Sequence, residues 1–194
     1  MSHQIHHTEG FVISGSNYGE ANRYLSIFTK DFGLLQASAQ GLRKVTSKLR
    51  FSLQDFSYSK IDLVQGKEIW RVTNARKITG YEKLSKNSET LKFLANIFRL
   101  LKRLCPGEEA NTELFNYLTE IYNFLENESL DDQTLKNFEC VSVLRILNYL
   151  GYIGASENTS FITSPISLAV LSEAGLARRA LIEEINKSLN ESQL

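Results

Sequence analysis

Residues 24–39, Tyr-Leu-Ser-Ile-Phe-Thr-Lys-Asp-Phe-Gly-Leu-Leu-Gln-Ala-Ser-Ala, carry the pattern that decides the fold of the first half of the chain. Tyr24–Thr29 and Leu34–Ala39 are short, largely apolar runs of the kind found in strands. Lys30–Gly33 lies between them as a tight turn, in which Gly33 is free to adopt a positive φ. The stretch therefore predicts two strands joined by a hairpin turn.

Further strand patterns lie on both sides of this hairpin. Ile5–Ser14 reads as a first strand, and Ser14–Glu20 is dense in turn formers and predicts a loop. Phe51–Leu63 predicts a longer strand region, Gln65–Lys67 a second hairpin turn, and Glu68–Thr73 a fifth strand. Five short strands without an obvious helix predict a small closed or partly closed barrel. The five-stranded barrel that most often binds nucleic acid is the OB-fold.

A strongly basic segment, Gly41–Arg50, follows the predicted hairpin, and we call it the basic loop. It holds two hydroxyl residues, Thr46 and Ser47, and no acid; its four cations are Arg43, Lys44, Lys48 and Arg50. A solvated loop of this composition suits phosphate binding. The alternative is a loop that is basic only for solubility.

Aromatic residues accompany the cations, namely Phe51, Phe56, Tyr58 and Trp70. Rings beside a basic groove can stack on the bases of a single strand. Most of these rings fall at alternating strand positions, however, so packing in the barrel core is the favoured interpretation for each.

The histidines and cysteines do not predict a metal site. His3, His6 and His7 lie near a terminus that is expected to fray, and no carboxylate or thiol nearby completes a ligand set with them. Cys105 and Cys140 are far apart, and neither belongs to a CxxC pair. We expect buried free thiols, with no cofactor and no metal.

After Gly80–Tyr81 the apolar period changes from two to about 3.6, which predicts an all-helical remainder. The first predicted helix is capped at Asn87–Ser88 and stops at Cys105–Gly107, and the second is capped by Asn111 and runs to about Leu125. A third starts at Asp131–Asp132 and stops at Gly151. Ser164–Pro165 starts a further helix, Gly175 breaks the sequence, and the last helix covers Leu176–Leu189. The fold class is therefore α+β with two domains, an OB-fold barrel in residues 1–80 and a helical bundle in residues 81–194.

Two features of the helical part bear on function. Lys92, Arg99 and Arg103 share one helix face, which is either a solvated stripe or a second contact for a nucleic-acid backbone. Arg145 lies in a predicted helix that is apolar nearly all round, Phe138–Leu150, so we expect it to form an ion pair or to lie at a pocket rim.

Charge is unevenly distributed although the formal net charge is zero. Residues 1–80 hold eleven Lys and Arg against six Asp and Glu, and residues 81–194 hold eleven against sixteen, so the two parts carry +5 and −5. This asymmetry favours a basic binding domain joined to an acidic helical one. The sequence has no apolar run of the ~20 residues needed to span a bilayer and no apolar signal core at its start. A soluble, cytoplasmic protein is expected.

Motifs for catalysis are missing from the sequence. There is no P-loop, dinucleotide glycine pattern, HExxH, GxSxG or CxxC. Asp31, Asp55 and Asp62 are scattered, without the acidic cluster of a two-metal nuclease. We therefore expect a protein that is not an enzyme.

The first half of the chain resembles the N-terminal domain of the RecO family of DNA repair proteins. The resemblance is carried by an ordered run of short strings: Gly10–Ile13, Tyr18–Glu20, Leu25–Thr29, Phe32–Leu34, Gly41–Lys44, Ser47–Arg50, Leu53–Gln54 and Leu63–Lys67. Phe138–Glu139, followed by Leu144, Leu147 and Leu150–Tyr152, is similar to the central helix of that family's second domain.

The resemblance implies a non-catalytic recombination mediator that associates with the nucleoid. Such a protein binds single-stranded and double-stranded DNA through backbone contacts, anneals complementary strands, and works with RecR and single-strand-binding protein to load recombinase. Its expected nucleic-acid contacts here are Arg43, Lys44, Ser47, Lys48, Arg50, Lys92, Arg99 and Arg103.

One family feature is absent. Many members carry a four-cysteine zinc element just after the Leu-Gly-Tyr position, where this chain has Ile153–Glu157 and no cysteine. Partner contacts made by that region in relatives are therefore in question. The main alternative function is a protein-interaction adaptor whose barrel does not bind nucleic acid directly; a nuclease or RNA-modifying enzyme is a third, without an acidic cluster to support it.

Overall fold

A computed structural model describes residues 4–78, 84, 86–154 and 158–191 of the chain. These residues form two compact units. The first comprises the described part of residues 1–82 together with residues 105–115, and the second comprises the described part of 83–104 and 116–194.

The first unit is a closed barrel of five strands. They are β1 (Ile5–Tyr18), β2 (Asn22–Thr29), β3 (Gly33–Ala39), β4 (Tyr58–Val64) and β5 (Trp70–Lys77). Their order around the barrel is β1-β2-β3-β5-β4, and β4 pairs with β1 to close it. The β3–β5 pair is parallel and the other four pairs are antiparallel. The predicted five-stranded, OB-like barrel is confirmed.

The barrel core follows from the alternation of apolar residues along the strands. Its buried side chains include Val12, Leu25, Ile27, Leu35, Ile61, Leu63, Trp70 and Val72. Two residues from the long β3–β4 connection, Leu42 and Leu53, belong to the same core, at 3% and 0% exposure. Because these two leucines are buried with the strands, the connection is fixed to the barrel at both of its ends.

The largest differences between the predicted and observed strand boundaries occur in β1, β4 and β5. The predicted loop at Ser14–Glu20 is wrong for Ser14–Tyr18, because β1 bends at an irregularity between Val12 and Ser14 and continues in register with β2. The predicted strand over Phe51–Leu63 begins only at Tyr58. The fifth strand begins at Trp70 and extends to Lys77, later than Glu68–Thr73 predicts.

Residues 105–115 belong to the barrel unit although the chain reaches them from a helix. The backbone N–H of Leu34 donates to Gly107 O at 2.9 Å, and Trp70 Nε1 donates to Glu108 Oε2 at 3.1 Å. The ring of Phe115 lies 5.2 Å from that of Phe11. This segment therefore packs on the barrel as part of its structure.

The second unit is helical. Its helices are α1 (Ser88–Leu104), α2 (Thr112–Asn127), of which the first turn belongs to the barrel unit, α3 (Asp132–Tyr149), α4 (Thr159–Thr163) and α5 (Leu168–Glu191). The predicted α+β architecture is confirmed. No helix in the described ranges is both long and apolar enough to cross a membrane.

The predicted caps of the first three helices are present. Asn87 Oδ1 accepts from the backbone N–H of Glu89, Asn111 Oδ1 from that of Leu114, and Asp131 Oδ1 from that of Thr134. Each bond satisfies an amide that has no partner within its helix.

The last helix was predicted incorrectly. Ser164–Pro165 does not start it but lies between α4 and α5. Gly175 does not break it either, because α5 runs without interruption from Leu168 to Glu191. A Cβ at Gly175 would lie 2.6 Å from Asn137 Nδ2 on α3, so the glycine permits close packing of the two helices.

Arg145 is 2% exposed and does not make the expected ion pair with any described carboxylate. Its Nε donates to Phe161 O at 2.7 Å and its Nη2 to Ser164 O. The guanidinium also lies 5.3 Å from the ring centroid of Tyr117. Arg145 therefore joins α4 to the bundle through backbone carbonyls.

Several predictions fall outside the described residues. They concern His3, the change of period at Gly80–Tyr81 and the Ala155–Glu157 part of the zinc-element position.

Candidate nucleic-acid interface

The basic loop leaves β3 at Ala39 and is held to the barrel by main-chain hydrogen bonds. Gly41 N donates to Asn22 Oδ1 at 2.8 Å, and Arg43 N donates to Ala21 O at 2.9 Å. Gly41 has a φ of +64°, a conformation in which a residue with a side chain is strained. These contacts tie the start of the loop to the turn between β1 and β2.

The remainder of the loop is a series of tight turns. Ser47 N donates to Lys44 O at 3.0 Å, and Leu53 N donates to Leu49 O at 3.0 Å. Leu49 packs partly buried against the barrel core, between the exposed side chains of Lys48 and Arg50. The loop thus has apolar anchors that point inward and cations that point outward.

The four loop cations are exposed to solvent. No carboxylate in the described part of the chain lies within ion-pair distance of Arg43, Lys44, Lys48 or Arg50. Ser47 lies half-buried among them. Their positive charge is therefore not neutralised locally and can act on an approaching anion.

Two of the loop cations line a cleft at one end of the barrel. The cleft has a volume of about 420 Å³, and we call it the arginine cleft. Its lining residues are Asn17, Arg23, Leu42, Arg43, Arg50, Leu53 and Gln54. Three guanidinium groups thus surround a floor made by two core leucines, and Asn17 and Gln54 add amide groups that can donate hydrogen bonds.

Arg23 is a charged residue of this cleft that the sequence did not predict as a site residue. It lies on the same face of β2 as the core residue Leu25, two positions earlier, where the barrel core ends. Its Nη2 donates to Gly15 O at 3.0 Å and to Asp55 Oδ1 at 2.9 Å. A Cβ at Gly15 would collide with this guanidinium, so the glycine makes room for it. No local sequence signal brings residues 15, 23 and 55 together.

This arrangement can hold phosphate groups. A guanidinium presents several N–H donors in a plane and pairs with two oxygens of a phosphate at once. The loop provides no helix or strand that could enter a groove, so its contacts suit the backbone and not the base edges.

The helix stripe lies in the other unit, and its cations already have intramolecular roles. Lys92 Nζ lies 2.7 Å from Glu89 Oε1, and this pairing lowers the pKa of Glu89 and raises that of Lys92. Arg99 Nη1 donates to Asn96 Oδ1 at 3.1 Å. Arg103 is exposed in the last turn of α1, where a cation is favoured by the helix dipole.

The aromatic residues near the basic loop divide between core and surface. Trp70 and Tyr58 are buried, at 4% and 5% exposure, as core packing predicts. Phe51 is 67% exposed, so its predicted core position is wrong. Phe56 adopts a φ of +67° in the turn before β4. The connection from Arg50 to Tyr58 is a loop, and strand alternation does not apply to it.

His6 and His7 lie in β1. His7 Nδ1 lies 2.7 Å from Asp62 Oδ1, and the ring of His6 meets the rings of Phe32 and Trp70 edge-on. Among the described residues, no three His, Cys, Asp or Glu side chains are grouped so as to hold a metal ion.

Both cysteines are free thiols, as predicted, but only Cys140 is buried and Cys105 is half-buried. Burial raises the pKa of Cys105 to about 11 and also raises that of Cys140. Both groups are therefore protonated near neutral pH, which makes them poor nucleophiles.

Residues 1–81 match the family described as recombination protein O, N-terminal. Over longer stretches the chain is similar to curated DNA repair proteins RecO. It is 31% identical over 145 residues to that of Alkaliphilus metalliredigens, covering 74% of this chain and 57% of the relative. It is 33% identical over 132 residues to that of Dehalococcoides mccartyi, covering 68% and 52%. It is 31% identical over 153 residues to that of Thermodesulfovibrio yellowstonii, covering 78% of this chain and 59% of the relative. The chain thus spans about half the length of these relatives.

Proposed function

The chain belongs to the RecO family of DNA repair proteins, and from this premise we propose that it is a non-catalytic recombination mediator that binds DNA through the basic loop and the arginine cleft. The observation that carries the proposal is the cluster of exposed, unneutralised cations on a loop anchored to an OB-like barrel. OB-fold proteins bind single strands in positively charged grooves.

The proposed contacts are made with phosphates. Arg43, Lys44, Lys48 and Arg50 hold the backbone, Ser47 donates a hydrogen bond, and Arg23 completes the arginine cleft. Backbone contacts do not depend on base sequence, so single-stranded and double-stranded DNA both bind. Neutralising the phosphates of two strands also lowers their mutual repulsion, which is the physical basis of the annealing activity we propose.

Lys92, Arg99 and Arg103 have a smaller proposed role. The carboxylate of Glu89 offsets the charge of Lys92, and Arg99 already uses one of its N–H donors on Asn96. We therefore expect their replacement to weaken DNA binding less than replacement of the loop cations.

RecR and single-strand-binding protein are the proposed partners, together with recombinase loading as the downstream step. These proposals follow from family membership and apply to a chain that spans about half of its relatives' length.

Annealing of two complementary oligonucleotides tests the function. Each strand is used bare and coated with single-strand-binding protein, with and without RecR. We expect the protein to accelerate annealing of both forms. A matched control replaces four exposed cations of the same unit outside the loop, Lys30, Lys60, Lys67 and Arg76, with alanine. That control should anneal like the parent, whereas the variant lacking the four loop cations should not.

A different result would favour the adaptor. If the parent neither binds labelled oligonucleotides at physiological salt nor anneals them, but still binds RecR or single-strand-binding protein, direct DNA binding by this chain is ruled out.

A further inference from the structure

Two exposed tyrosines stack on each other at the far end of the β1–β2 hairpin. Tyr18 is 43% exposed and Tyr24 is 38% exposed. Their ring centroids are 4.5 Å apart and the ring planes differ by 21°. Together the two rings present a flat aromatic surface to solvent, with a polar hydroxyl at its edge.

The strand register places these rings on the opposite face from the arginine cleft. Asn17 pairs with Arg23, and both line the cleft. Tyr24 is the next residue along β2, paired with Ser16, and successive strand residues point to opposite faces. The end of the hairpin therefore presents the guanidinium groups of the arginine cleft on one face and the two tyrosine rings on the other.

A polar row continues from the tyrosines across the outside of the barrel. Tyr24 pairs with Ser38 on β3, and Ser38 pairs with Arg71 on β5. Ser38 and the exposed Arg71 line a second, smaller cleft of about 220 Å³ beside the β4–β5 turn. A cation that can meet a phosphate thus lies two strands away from the tyrosine pair.

The tyrosine rings themselves suit an uncharged ligand. Partial desolvation, the neighbouring Tyr18 and the carboxylate of Glu68 all raise the pKa of Tyr24, so its ring is neutral at physiological pH. The negative charge of Glu68 disfavours a phosphate at this point but does not oppose the face of a base.

We propose that the Tyr18–Tyr24 pair is a stacking site for an unpaired nucleic-acid base, reached by a strand whose phosphates are held in the arginine cleft. This inference rests on the proposed DNA binding and adds selectivity for single strands, because the base faces of a duplex are already stacked. The rings are held against each other before binding, so little ordering is needed when a base adds to the stack.

The test compares three proteins, the parent, Tyr18→Ala/Tyr24→Ala and Tyr18→Phe/Tyr24→Phe, by fluorescence anisotropy. The probes are a labelled oligo-dT, the same oligomer with abasic sites in place of its central bases, and a duplex. Loss of stacking should weaken oligo-dT binding by the alanine variant about 5- to 100-fold. Its log–log salt slope should not change, since the phosphate contacts remain. The phenylalanine variant should bind within about twofold of the parent, because it keeps the rings.

The abasic oligomer and the duplex supply the controls. The abasic oligomer should bind the parent more weakly than oligo-dT and should not distinguish the parent from the alanine variant. Duplex binding should be the same for all three proteins. If the alanine variant fails to fold, as judged by circular dichroism, Tyr18→Leu/Tyr24→Leu replaces it, since leucine keeps apolar bulk without a π face.

Three results would overturn the inference. They are an alanine variant that binds oligo-dT like the parent, an equal loss for oligo-dT and duplex, and a phenylalanine variant as weak as the alanine variant. The first would leave the tyrosines to another class of ligand, such as a protein. If loss of the loop cations abolishes binding while the tyrosine variants bind normally, only the stacking site is wrong. A parent that binds no DNA overturns the proposed function as well.

Discussion

Arg23 Nη2 lies 2.9 Å from Asp55 Oδ1, and this ion pair joins strand β2 to the far end of the β3–β4 connection. Arg23 is 19% exposed and Asp55 is 42% exposed, so the pair lies where the barrel core meets solvent. Asp55 keeps the guanidinium in place and at the same time offsets part of the positive charge of the arginine cleft. The pair therefore links the fold of the barrel to its proposed ligand.

Replacing Asp55 with asparagine should tighten DNA binding. The amide oxygen of Asp55→Asn can still accept from Arg23, but the negative charge that competes with a phosphate is removed. We expect a gain of about two- to fivefold at low salt, which shrinks as salt screens the cleft. Arg23→Ala is the companion variant and should weaken binding. Weaker binding by Asp55→Asn at every salt concentration would mean that the cleft does not hold the backbone.

Gly33→Ala should destabilise the barrel by at least about 2 kcal/mol. Gly33 has a φ of +65°, and an added Cβ would collide with the backbone of Glu109, in the segment packed on the barrel. Gly41→Ala is a matched control with a φ of +64° and no atom nearer than 3.7 Å to its Cβ. Gly41→Ala should lower the free energy of unfolding by about 1 kcal/mol, because of the backbone conformation alone. Urea denaturation measures both, and equal losses would contradict the close contact with Glu109.

Gly175→Ala should destabilise the helical unit although alanine is the better helix former by about 1 kcal/mol. The new methyl group would displace Asn137 Nδ2, which donates to Leu171 O at 3.1 Å and is buried. In the background of Asn137→Ala the same glycine replacement should be stabilising, because the obstacle is gone. Denaturation of the parent, the two single variants and the double variant gives the coupling energy between Gly175 and Asn137. Gly175→Ala that stabilises both backgrounds equally would show that the two helices do not approach closely here.

Asp131→Ala should lower the stability of the helical unit at neutral pH and lose part of this effect in acid. The hydrogen bonds from Thr134 lower the pKa of Asp131, with its backbone amide contributing most. A carboxyl group with a lowered folded pKa contributes stability above its unfolded pKa, near 3.9, and this contribution is lost as the pH falls through the folded value. The difference between parent and variant in thermal melts should therefore be smaller at pH 2 to 3 than at pH 7, because the protonated carboxyl keeps only a neutral acceptor. Asp131→Asn, which keeps the cap without the charge, should retain most of the stability at pH 7.

Local chemistry accounts for what could be predicted from the sequence. The caps at Asn87, Asn111 and Asp131 depend on a few consecutive residues, and so does the positive φ of Gly33. The strand alternation around Leu25 and Leu35 predicts the barrel core in the same way, because one buried face requires a period of two.

The parts that were missed depend on contacts between distant residues. Arg23 enters the arginine cleft only because Asp55 and Gly15 meet it there. Ser14–Tyr18 has the composition of a loop, yet pairing with β2 holds it as a strand. Gly175 has low helix propensity, and the close approach of Asn137 on another helix is what explains it. In each case a tertiary contact outweighs the local preference.

The salt dependence of single-strand binding reports how many phosphates the basic loop contacts. The affinity of the parent for a labelled oligo-dT is measured between about 50 and 300 mM salt, beside the variant in which Arg43, Lys44, Lys48 and Arg50 are alanine and the control that lacks Lys30, Lys60, Lys67 and Arg76. Each phosphate contact contributes about 0.7 to the log–log slope on single strands, so the loop variant should lose about 3 units of slope and most of its affinity. The control should keep a slope close to that of the parent. A loop variant with the slope and affinity of the parent would show that the basic loop does not hold the DNA backbone.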